Sequence, residues 1–413
     1  MPFSAAAQIS SGNGPPAGED LAALAHSRQL AERIRAEAAT SGGSLPFDRF
    51  MELALYAPGL GYYVAGAKKF GPGGDFITAP DLSPLFGLCL ARQCQEVLMA
   101  LGGGEILELG AGNGELAAQI LEGLKRADCL PRRYLILEPG AELRERQRDL
   151  LAARHPDLIG HMHWLTGLPP AFTGVLVANE VMDAMPVSRF WIDAKGQPAE
   201  YRVRPPATAE EQDWAEVLAS PEDPALALAV ACLQARGLAR IPGYTSEVNL
   251  RLGPWLGALA DSLRQGLMIL IDYGYEETDY YRAERSMGTL ICHYRHQAHG
   301  DPYAHLGLQD ITAHVDFSAV ARSAQAAGLE LAGYTTQAHF LLALGLDELL
   351  AERLNGPGVG DDEGLKLVLG AKQLVLPAAM GERFRVLGLA KGLTPDGGES
   401  WRGFRLRDLR GRL

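Results

Sequence analysis

Residues 106–116 read ILELGAGNGEL, an apolar run that breaks at Gly110, Gly112 and Gly114 and continues as AAQILEGL with the apolar spacing of a helix. A strand that turns through glycines into a helix is a common ligand seat, because the backbone can come close and the helix N-terminus faces what is bound. The dinucleotide fingerprint is G-x-G-x-x-G with a pyrophosphate at the helix end. Here the spacing is G-x-G-x-G, and Glu108 stands two residues ahead of the first glycine. A carboxylate at that point repels phosphate and suits positive charge, which S-adenosylmethionine carries as an ammonium and a sulfonium. The next apolar run, YLILEPG, ends in Glu138, where an acid accepts the ribose hydroxyls of an adenosine. A nicotinamide dinucleotide is the rival reading, and a tight turn holding nothing is the plainest one. Neither G-x-x-x-x-G-K-[ST] nor G-x-S-x-G occurs.

Working outward, apolar runs alternate with amphipathic stretches: EILEL, ELAAQILEGL, YLILE, ELRERQRDLLAAR, GVLVANE and, much later, LMILIDYG. Buried strands separated by helices predict an α/β fold with a doubly wound parallel sheet. The boundaries expected are a flexible arm and helix over 1–44, a helical and flap segment over 45–102, and the first part of the sheet domain over 103–200. An inserted cap follows over 201–262, then the second part of the domain over 263–413 with a helical insertion near 339–380. The cap is expected as a polar piece and a helix covering the cleft. Tyr62, Tyr63, Lys68, Lys69 and Phe70 suggest a flap at the entrance.

The chain has 413 residues, a formal charge of −12 and a pI near 5.4, a balance that argues against binding nucleic acid or anionic lipid. No stretch approaches the ~20 apolar residues of a membrane span. Five cysteines without a CxxC predict neither disulfides nor zinc, and with an N-terminus lacking signal features they predict a reducing cytoplasm.

Further segments carry a resemblance. GDFITAPDLSPLFG (74–87), VANEVMDAMPV (177–187), SEVN (246–249), LIDYG (270–274) and DITAHVDFS (310–318) stand in the order and spacing of the MidA-like family of S-adenosylmethionine-dependent methyltransferases. The resemblance runs from about residue 45 to the end. It implies a class I methyltransferase fold, Rossmann-like, with a helical N-terminal segment and an inserted cap. It implies S-adenosyl-L-methionine as cofactor, seated by the E-x-G-x-G-x-G loop at Glu108, Gly110, Gly112 and Gly114, with Glu138 on the ribose. Gly74, Asp75, Phe76 and Thr78 of GDFITAP match the family element expected to fold over the methionine end. The family includes a mitochondrial arginine methyltransferase of complex I assembly, so the resemblance implies a protein substrate, with a respiratory-complex subunit as the candidate. No nucleic acid or membrane partner is expected, and a homodimer stays open. Methylation of a small molecule or of another protein nitrogen, and a non-enzymatic assembly role, are the alternatives.

Asn179, Glu180 and Asp183 follow the strand GVLVANE, at the carboxyl end of the sheet where open parallel sheets bind ligands. Asn179 is assigned to the cofactor. Arginine methylation needs a guanidinium held and a proton removed, work suited to carboxylates, so Glu180, Asp183 and Asp272 are the catalytic candidates. Asp183 as a helix cap and Glu180 as a plain ion pair are the bland readings. Tyr273, on the same rim as Asp272, is a substrate candidate. The spacing H-x-x-H-x-x-H at His293, His296 and His299 brings a metal to mind, but turn residues argue against the helix it would need. No metal is expected; a loop over the site is, with His296, His299 and His314 touching substrate.

Overall fold

The computed structural model describes residues 19–65, 78–208, 213–356 and 359–413. Its central sheet has strands β1 (Glu105–Leu109), β2 (Tyr134–Leu137), β3 (Met162–Leu165), β4 (Phe172–Asn179), β5 (Leu263–Tyr275), β6 (Glu330–Thr336) and β7 (Phe384–Lys391). They lie in the order β3-β2-β1-β4-β5-β7-β6, with β7 antiparallel to both neighbours and the others parallel. The doubly wound expectation therefore holds. The short edge strand β3, with only Met162 fully buried, lacks the apolar run that marks the others.

β1 is buried at every position because both faces are covered. Ile106 packs with helices Leu85–Ala100 and Glu115–Arg126, while Leu107 and Leu109 pack with helices Leu252–Ser262 and Phe317–Ala326. Helix Glu115–Arg126 turns Leu116, Ile120 and Leu124 inward, one face at helical spacing, and closes on Lys125 and Arg126, which suit its negative end. The strand order reverses between β1 and β4, which opens a crevice at their carboxyl ends.

The chain between β4 and β5 departs from the expected cap. Its strands Ser188–Ile192, Pro198–Arg204, Ala215–Ala219 and Thr245–Val248 join Leu45–Pro46 in a second, antiparallel sheet, which thus begins ahead of residue 201. The reason is local: Asp193 Oδ1 accepts from the backbone amides of Lys195 and Gln197 at 2.8 Å each, closing a hairpin. Phe190 and Ile192 then face helix Pro224–Ala235, while Arg189 turns the other way and lies over the rings of Phe47 and Tyr201. Helices Gln337–Ala343, Leu346–Leu354 and Asp361–Val375 fill the span between β6 and β7. No helix among the described residues is long and apolar enough to cross a membrane.

A third sheet, Gln297–His299, Ile291–Tyr294 and Asp310–Thr312, lies over the crevice. It covers what the insertion was expected to cover. Of the described residues between Ser188 and Ser262, only Trp255 reaches the cavity below.

Candidate active site

The crevice holds a cavity of about 660 Å³. One end is made by the glycine turn. Gly110 and Gly114 take φ of +64° and +93°, and a Cβ on Gly110 would stand 3.1 Å from Val181 Cγ2 across the crevice. A side chain there is therefore strained by the backbone and tight against Val181. Asn113 Oδ1 accepts from the Glu115 amide, and its Nδ2 donates to Asp81 Oδ1 at 2.8 Å. Asp81 also accepts from the Thr78 hydroxyl at 2.8 Å, so Thr78, which lines the cavity, is tied to the turn.

Glu138 lines this end too, its Oε1 accepting from the Gly140 amide at 2.8 Å. Glu108 reaches the wall, but its carboxylate accepts the Tyr134 hydroxyl at 2.7 Å. Burial pushes Glu108 up to about 7 against the pull of that hydrogen bond. It is more a buried hydrogen-bonded acid than the open negative charge the sequence suggested. A residue not foreseen holds this end together: Gln147 donates to Gly112 O and Glu138 Oε2 and accepts from Trp164 Nε1. In sequence it is one polar residue in a charged helix, with no signal beyond its position.

Glu180 and Asp183 line the far end, and Asn179 lies between the two ends with a buried Oδ1 that has no protein partner. Glu180 sits at φ +54° and accepts from Asn179 Nδ2 at 3.0 Å. Burial first, then the nearby Asp183, raises Glu180 to about 8. Burial raises Asp183 as well, opposed by the Tyr273 hydroxyl beside it. Asp272 is different. Fully buried and outside the cavity lining, it spends its carboxylate on the amides of Met182, Asp183 and Tyr273. Its catalytic assignment is corrected: it holds the Met182–Asp183 backbone, and its neighbour Tyr273 faces the cavity because alternation along β5 turns one of the two inward.

The histidines also sort differently. Ile291–Tyr294 and Gln297–His299 form a hairpin whose turn residues Arg295 and His296 have φ of +49° and +62°. His296 is exposed at the tip, and His299 pairs with Cys292 on the face opposite the cavity, so neither meets the expected role. His293 lines the cavity in their place, across the ladder from Asp310. His314 lines it as expected; burial first, then Arg285 and Arg383, lowers it to about 4, which keeps the ring neutral. Tyr56 and Tyr63 complete this end, stacked at 5.5 Å, and Tyr63 donates to Asp310 Oδ1 at 2.9 Å. Period-two reading of DIT would have placed Asp310 and Thr312 together on this wall. Gly74, Asp75 and Phe76, with Lys68, Lys69 and Phe70, lie outside the described residues.

The model of an S-adenosyl-L-methionine-dependent methyltransferase family matches residues 89–335. A Burkholderia thailandensis protein solved bound to S-adenosyl-homocysteine is 39% identical, with a TM-score of 0.87 over 97% of this chain and 100% of that one. The human protein arginine methyltransferase NDUFAF7, mitochondrial, is 28% identical over 92% of this chain and 86% of its own length. The Drosophila melanogaster homologue is also 28% identical, over 88% and 85%. These relatives are named as mitochondrial proteins, which overturns the cytoplasmic expectation drawn from cysteine usage. The chain belongs to the MidA-like family of S-adenosyl-L-methionine-dependent methyltransferases, and S-adenosylmethionine is its cofactor.

Proposed function

We propose that this enzyme methylates an arginine side chain of a protein, and that a respiratory-complex subunit is the substrate. The observation that carries the reading is the far end of the cavity, where Glu180, Asp183 and Asp310 line one wall space with the hydroxyl-bearing rings of Tyr56, Tyr63 and Tyr273. Acceptors of that density suit a planar cation with several N–H donors. The names of the relatives support the same acceptor.

When bound, S-adenosylmethionine supplies an electrophilic methyl group on a sulfonium. Glu138 would take the ribose hydroxyls, and the turn Gly110–Gly114 with Thr78 and Asn179 would hold the methionine end. The orphan Oδ1 of Asn179 fits an ammonium donor. Glu180 and Asp183 accept from the guanidinium, whose charge favours their ionised forms and offsets the burial that raises them. Both reactants are then held close in one cavity, so orientation supplies much of the acceleration.

The test is incubation of the purified enzyme with labelled cofactor and proteins from cells lacking this chain, followed by acid hydrolysis. Label in methylarginine is expected. Label confined to low-mass compounds, or to another amino acid, would sink the arginine reading.

A further inference from the structure

We infer that His293 is the group that takes the proton from the methyl acceptor, and that Asp310 and Tyr63 position it. The inference rests on the proposed acceptor end of the cavity and deepens it by naming the base.

The register of the third sheet carries the argument. Ile291, Cys292 and His293 pair with Thr312, Ile311 and Asp310. Cys292 and Ile311 are fully buried against helix Phe47–Tyr56 and its surroundings. Strand alternation therefore turns Ile291, His293, Asp310 and Thr312 to the other face, and all four line the cavity. His293 and Asp310 stand directly opposite on that face, where cross-strand side chains are near neighbours. Asp310 is itself fixed, for its Oδ1 accepts the Tyr63 hydroxyl at 2.9 Å. An imidazole beside an oriented carboxylate is the arrangement that steers a ring and favours its protonated form.

The hairpin turn supports the placement. With Arg295 and His296 both at positive φ, the turn is confined to two residues, which pins His293 inward and sends His299 to the far face. The charged and titratable groups sharing this end are Tyr56 and Tyr63, Asp310 across the ladder, Glu180 and Asp183 after β4, Tyr273 and Tyr275 on β5, His314, and Arg383 before β7. Glu180 and Asp183 then serve to grip the cation. In the step itself a guanidine nitrogen forms the N–CH3 bond and the S–CH3 bond breaks, its electron pair staying on sulfur as a neutral thioether. The surplus N–H proton passes to the His293 ring and from there to water.

The test uses full-length enzyme with S-adenosylmethionine and proteins from cells lacking this chain. His293→Gln is expected to lower turnover roughly 10²-fold and to abolish the acidic limb of the pH–rate profile, with S-adenosyl-homocysteine affinity by calorimetry unchanged. Asp310→Asn is expected to lower turnover less and to move that limb to lower pH without removing it, because the carboxylate that favours the protonated ring is gone; Tyr63→Phe, which takes a donor from that carboxylate, is expected to move it to higher pH. Wild-type turnover and an intact acidic limb in His293→Gln would overturn the assignment, as would equal loss of cofactor affinity and turnover. If the wild type places its methyl on an acceptor other than arginine, the arginine reading fails, and the same variants on that acceptor still decide the role of His293.

Discussion

The side chain of Gln147 donates to the carbonyl of Gly112 at 2.9 Å, which fastens the helix Ala141–Arg154 to the glycine turn of β1. The same amide reaches Glu138 Oε2 at 3.4 Å, so one buried residue ties the glycine turn to the acid at the end of β2. Gln147→Leu leaves Gly112 O and Trp164 Nε1 without this partner, at a cost of about 1–3 kcal/mol of stability. Urea unfolding should show that loss, and calorimetry should show weaker S-adenosyl-homocysteine binding. Full affinity in a destabilised variant would mean that the turn keeps its shape unaided.

Asp272 offers a contrasting case. Its three accepted amide bonds cannot all be replaced by an asparagine oxygen, so Asp272→Asn should lose about 1–3 kcal/mol and lower the melting temperature. Turnover should fall with it, because the Asp183 backbone is released, while cofactor binding persists. Unchanged melting with abolished turnover would return Asp272 to the chemistry.

Stability should fall as pH rises from about 6.5 to about 8. Glu108 and Glu180 are raised by burial to about 7 and about 8, so the folded chain binds more protons than the unfolded one through this window. Their contribution is complete below the ordinary carboxylate range and is lost as pH passes the folded values. His314 works the opposite way, lowered to about 4, and its contribution is lost only as pH falls below its ordinary value of 6.5. Melting temperatures across pH, compared with Glu108→Gln, check this: the variant should show a shallower decline. An equally steep decline would exclude Glu108 as a contributor.

The hairpin tip should be separable from catalysis. Arg295 and His296 occupy conformations that side chains disfavour, so Asn-Gly in their place should stabilise the enzyme by about 0.5–1 kcal/mol. His296→Ala should leave methyl transfer unchanged, measured with the same labelled-cofactor assay. A loss of turnover there would show the tip contacting the acceptor protein.

Much of the scaffold was legible because its signals are local. ILELGAGNGEL announces a buried strand, a positive-φ turn and a helix within eleven consecutive residues, and the apolar runs of β2, β4 and β5 are self-evident. The second sheet escaped because its strands are short or mix polar with apolar residues, Pro198–Arg204 and Ala215–Ala219 being only partly buried, and β3 because it is short and at an edge. Gln147 was illegible for another reason: its partners at Gly112, Glu138 and Trp164 are brought to it only by folding.

The amino-acid sequence by itself determined the strand, turn and helix around Gly110 and the parallel sheet, since apolar runs and a glycine turn are local patterns that need no distant partner, and it made the methyl donor legible through motifs spread from Gly74 to Ser318. Which acid or histidine faces the acceptor was decided only by tertiary structure. Asp272 and Tyr273 are adjacent in the chain, as are Cys292 and His293, yet alternation sends one of each pair into packing and the other into the cavity. That choice depends on strand register, and register is set by what each face is buried against.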